Sequence, residues 1–158
     1  MTEHIEVQCA SRLSGPPTDQ VVRDWVQAAL YDQSQQASLV VRFVDEEEGR
    51  TLNAKFRHHD HATNVLSFPY EALPGIKTDA LGDIVICTPV VLREAKAQGK
   101  AAEAHFAHMV VHGVLHLLGY DHLDKPSVLR METCETRILA QLGFPAPYEQ
   151  PSSVTDCA

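Results

Sequence analysis

The chain has 158 residues, 44% apolar and 22% charged, which is the composition of an ordinary soluble, single-domain globular protein. Thirteen Lys and Arg against 21 Asp and Glu leave a net charge of −8, which argues against coating nucleic acid by charge alone. No run of about 18 apolar residues offers a membrane span, and Met1 to Ala10, with Glu3, His4 and Glu6, lacks the apolar centre of a signal peptide.

In chain order, Ile5–Cys9 alternates weakly and predicts a short strand. Thr18 or Asp19 caps a helix to about Tyr31, with Val21, Val22, Trp25, Val26, Ala29 and Leu30 on one face. Ser38–Val44 is a β-branched strand, followed by an acidic turn at Asp45–Gly49 and a short helix opened by Thr51. Asn64–Tyr70 and Leu81–Cys87 predict two further strands, paired across the loop at Leu73-Pro-Gly75. Pro89 starts a helix to Gln98, Ala101–Leu118 is a long helix stopped by Gly119, and a last helix runs from Pro126 to Leu142. This order predicts an α+β fold, a small mixed sheet packed with helices, in one domain over residues 1–143. Residues 144–158, with Pro145, Pro147 and Pro151, read as a loose tail. The cysteines Cys9, Cys87, Cys134 and Cys157 form no C-x-x-C pair and read as reduced thiols of a cytosolic protein.

The nine histidines are unevenly placed. His112, His116 and His122 follow the spacing His-x-x-x-His-x-x-x-x-x-His. The first two are four apart on the long helix, so they share a face about 5–6 Å apart at Cβ. Gly119 ends the helix, and the turn after it is what returns His122 to the same ion. Three neutral imidazoles with one open position suit a catalytic zinc site, one ion per chain. His105 and His108 lie on the same helix. They read as ordinary helix histidines, with His108 as an outer group behind His112 the alternative. The tract His58-His59-Asp60-His61 is not expected to form a site on its own, because neighbours in sequence point apart. The long metzincin signature has this same histidine spacing, but with Glu beside its first histidine as general base; here the residue is Gly113. A peptidase of that kind lacks its proton acceptor, while the ion can still acidify water and polarise a phosphoryl or carbonyl oxygen.

Three segments together resemble the YbeY family of bacterial endoribonucleases: Leu52-Asn-Ala-Lys-Phe-Arg57, then Thr63-Asn-Val-Leu-Ser-Phe-Pro69 with Leu81-Gly-Asp-Ile-Val-Ile86, then His112 to His122. The resemblance implies one zinc ion on His112, His116 and His122, and a catalytic role for Arg57. It also implies cytoplasmic action on single-stranded ribosomal RNA in small-subunit rRNA 3′ end maturation and ribosome quality control, in contact with the small ribosomal subunit and its proteins. A guanidinium is chemically apt there, because its fork matches a phosphate. Arg50, Lys55 and Arg57 form the densest basic cluster, which Lys96 and Lys100 extend unless they are simply solvated. Asn64 and Ser67 are candidates for contacts to the nucleic-acid strand or to the backbone. Asp83 and Asp121 are candidates for orienting a ligand imidazole or accepting a proton. The alternatives are a non-catalytic zinc-containing ribosome assembly factor and a zinc amidohydrolase or peptidase.

Overall fold

The computed structural model describes residues 4–12, 15–31, 37–70, 74–75, 79–120 and 124–148. In chain order the elements are β1 (His4–Cys9), α1 (Asp19–Ala29), β2 (Ser38–Val44), α2 (Glu46–Arg57), β3 (Val65–Pro69), β4 (Ala80–Cys87), α3 (Thr88–Gln98), α4 (Ala102–Leu117) and α5 (Lys125–Gln141). The strands form one mixed sheet in the order β1-β2-β4-β3. β1, β2 and β4 run parallel, and β3 pairs antiparallel with β4, as the sequence predicts. The fold is therefore α+β around a four-stranded mixed sheet.

Each helix end has a local cause. The Thr18 hydroxyl accepts from the Val21 amide at 3.4 Å and opens α1, which buries Val22, Trp25, Val26 and Ala29. The segment expected to be an acidic turn is instead the first turn of α2. Glu46, Glu47 and Glu48 sit where the helix dipole favours carboxylates. Gly49 does not break this helix. It is buried where an added Cβ would lie 3.2 Å from the Cys87 sulfur, so its small size serves packing. The helix closes at His58 in the left-handed conformation (φ 61°).

The main core lies between one sheet face and α1, α4 and α5, around Trp25, Phe43, Ile84, Ile86, Phe106, Val110 and Met131. A smaller cluster on the other face joins Val44, Leu66, Val85, Cys87 and Val90 to Leu52 of α2. α4 is the central helix and touches α1, α3, α5, β3 and β4. It approaches the sheet most closely at Gly113, where an added Cβ would lie 2.8 Å from Cγ2 of the fully buried Ile84. In an open helix Gly→Ala would stabilise by about 1 kcal/mol. Here overpacking of about 1–3 kcal/mol opposes it. Gly113→Ala is therefore expected to destabilise, by about 1–2 kcal/mol net. Urea unfolding at equal m-value checks the sign.

Residues 144–148, read from the sequence as the start of a loose tail, lie against the body. The Phe144 ring meets Trp25 edge-on at 5.9 Å, and Lys100 donates to the Pro147 carbonyl at 3.3 Å. Residues 149–158 lie outside the described residues.

Candidate metal centre

Four histidines line α4 at positions 105, 108, 112 and 116, and their rings meet edge to face in sequence at 6.1, 6.2 and 4.6 Å between centroids. The tightest step joins His112 and His116, the pair predicted to share an ion. Both are only half-buried, in the last two turns of the helix.

His112 is held from behind. Its Nδ1 donates to Oε2 of Glu135 at 2.5 Å. Glu135 comes from α5 and is wholly buried. Its other oxygen, Oε1, accepts from His108 Nε2 at 3.0 Å and from the Tyr148 hydroxyl at 2.5 Å. Burial pushes the Glu135 carboxyl up, but the hydrogen bonds and charges of His108 and His112 outweigh it and hold it at about 2. It is thus a carboxylate at neutral pH. The same burial, with the Glu135 charge beside it, pushes the Tyr148 phenol up, so it stays a donor. A carboxylate on Nδ1–H fixes the tautomer of His112 and leaves its Nε2 lone pair for a metal.

Donor atoms of His108, His112 and Glu135 all lie within 4.8 Å of one another, a grouping whose chemistry also suits a metal. In this arrangement the carboxylate is already engaged by three donors. The sequence reading of His108 as an ordinary helix histidine is corrected by its burial and its bond to Glu135. Glu135 and Tyr148 were not foreseen. Glu135 has a signal in hindsight, as a charged residue in the α5 stripe of Met131, Cys134, Ile138 and Leu139.

Arg57, the last residue of α2, sits at the open edge of β3. Its Nη2 donates to the Ser67 carbonyl at 2.6 Å, and its guanidinium lies 4.9 Å from the centre of the Phe68 ring. The Ser67 hydroxyl reaches the Gly113 carbonyl at 3.4 Å. Arg57 is thus linked through one strand residue to the backbone beside His112. His122 and Asp121 lie outside the described residues.

Other candidates fall elsewhere. Ile84 faces α4, so its neighbour Asp83 points to the opposite sheet face and does not orient His112 or His116. Asn64 donates to Glu94, which also binds buried His105 at 2.8 Å, so that amide serves the fold. Arg50 is paired with Asp60 at 2.8 Å, which removes it from the basic cluster and accounts for Asp60 of the histidine tract. Lys100 holds the tail at Pro147, and Lys96 is exposed on α3.

Burial, partly offset by Glu94, holds the His105 imidazole below its usual range. The folded state therefore favours the neutral ring. That contribution is complete above the unfolded value of about 6.5 and is lost as pH falls below it, when the unfolded chain takes up the proton first. The unfolding free energy of metal-free protein is expected to fall between pH 7 and 5, and less steeply in His105→Gln; urea titrations across that window test it.

No helix among the described residues is long and apolar enough to cross a membrane. A family model described as Endoribonuclease YbeY matches residues 6–143. Endoribonuclease YbeY of Coxiella burnetii (strain Dugway 5J108-111) is 46% identical over 149 residues, covering 92% of this chain and 98% of the relative. That of Stutzerimonas stutzeri is 49% identical over 153 residues, covering 96% and 94%. A solution structure of a Thermotoga maritima protein shares the fold, with a TM-score of 0.59 at 23% identity over 94% of this chain and 99% of that one. The extent and level of these matches place the chain, a hydrolytic enzyme, in the YbeY family of endoribonucleases.

Proposed function

We propose that the chain is a zinc-dependent endoribonuclease that cuts single-stranded ribosomal RNA in the cytoplasm, in 3′ end maturation of the small-subunit rRNA and in ribosome quality control on the small ribosomal subunit. His112, His116 and His122 hold one zinc ion, and Arg57 is the catalytic cation. The observation that carries the reading is the bond from His112 Nδ1 to ionised Glu135, which prepares Nε2 as a ligand.

When bound, the ion supplies Lewis acidity toward a phosphoryl oxygen. The chain's own residues do the rest. Glu135 keeps His112 in one tautomer and one orientation, and His108 and Tyr148 keep Glu135 in place. The Ser67 carbonyl and the Phe68 ring steady one edge and one face of the Arg57 guanidinium. Its remaining N–H donors meet a phosphate, whose equatorial oxygens gain charge in the transition state. Single strands are suited because their phosphates and bases can separate to reach such groups.

The peptidase alternative loses support at Gly113. A glutamate there would begin with a Cβ inside the contact distance of Ile84. The test is incubation of zinc-loaded protein with a single-stranded rRNA fragment, the same fragment annealed to its complement, and a casein-type peptide. The proposal expects cleavage of the first alone. Peptide cleavage with RNA intact would overturn it.

A further inference from the structure

The second face of the sheet is open beside α2. Phe68, Asp83 and Val40 form one cross-strand row, and Arg42 and Val85 the next, all pointing away from α4. With Phe56 of α2 they line a cleft of about 490 Å³, within the usual range for a ligand site. Phe56 is 48% exposed and meets Phe68 edge-on at 5.3 Å. With Val40, Leu52 and Val85 these rings give the cleft a largely apolar lining, as ligand sites have.

The charges say what kind. Arg42 is spent on Glu48 at 2.7 Å and Gln8 at 2.9 Å. Arg57 and Lys55, beside the rings of Phe68 and Phe56, make no ion pair among the described residues. Each instead lies against a ring, Arg57 over Phe68 and Lys55 over Phe56 at 5.2 Å. Asp83, also without an ion pair there, is exposed on the floor. The two cations therefore attract phosphate and the floor repels it. A ligand with anionic backbone and flat apolar side groups enters base first, and a carboxylate accepts from an amine edge.

We propose that this cleft binds one nucleobase of the RNA strand whose phosphate lies at Arg57, stacked on Phe56 and bounded by Phe68, with an amine edge toward Asp83. The inference rests on the reading of the chain as an RNA-cutting enzyme. Base–aromatic stacking is sequence-tolerant, so Phe56 supplies affinity and Asp83 supplies preference.

The test is steady-state cleavage of single-stranded RNA by zinc-loaded wild type, Phe56→Ala, Phe56→Trp and Asp83→Asn, with thermal melts of each. Phe56→Ala is expected to raise KM about tenfold with kcat little changed, and Phe56→Trp to restore KM. Asp83→Asn is expected to reduce the preference for a cytosine-rich over a uracil-rich substrate. An unchanged KM in Phe56→Ala, or a loss in kcat that Trp does not restore, overturns the cleft while wild-type cleavage keeps the function. Wild type that leaves RNA intact overturns the proposed function and the cleft with it.

Discussion

His116→Ala is expected to give a folded protein that loses its metal ion and whose RNA cleavage falls to background. The imidazole is half-buried at the end of α4, and its ring meets that of His112 at 4.6 Å. Its removal opens the ligand set without cutting into the core. Arg57→Ala is the informative companion. It leaves the histidines intact and removes the proposed phosphate-binding cation, so metal content is expected to stay at wild type while kcat falls about 10²- to 10³-fold, as for loss of one transition-state donor. Elemental analysis beside a cleavage assay separates the two. Equal metal loss in both variants would contradict the division of roles.

Glu135→Ala is expected to cost the most stability. It strips a fully buried carboxylate from three donors, His108, His112 and Tyr148. Breaking a buried charged network costs about 3–5 kcal/mol. In a chain of this size that lowers Tm by roughly 6–20 °C. His112, the proposed ligand, also loses its orientation, so metal affinity is expected to fall about 10- to 100-fold. Melts of metal-free protein and chelator competition report the two effects separately. A melt within about 2 °C of wild type, with affinity unchanged, would mean that Glu135 neither braces the fold nor orients His112; that threshold is about a third of the smallest shift expected.

Local patterns carried most of the fold. The strands at β1, β2 and β4 follow from weak alternation and β-branched runs, and the pairing of β3 with β4 from the loop between them. The long helix and the His112–His116 pair follow from i, i+4 geometry. What remained hidden depends on partners distant in sequence. Gly49 looked like a turn residue because nothing local shows that Cys87 will pack on it. Glu135 lies 23 residues beyond His112, and only the packing of α5 on α4 brings them together. Tyr148 falls in a tail whose prolines and serines read as loose, but Phe144 on Trp25 turns the chain back toward Glu135. Asp83 was legible as polar, but its face was decided by Gly113, which admits Ile84 to α4 and so turns Asp83 away.

The central claim is that the ion sits on the outer face of His112, with Glu135 behind it. Crystals grown with zinc and measured across the zinc absorption edge locate the ion directly. The account predicts an anomalous peak on Nε2 of His112, shared with His116 and His122, with Nδ1 of His112 still bonded to Glu135. A peak among His108, Nδ1 of His112 and Glu135 would contradict it, and would make Glu135 a ligand instead of a brace.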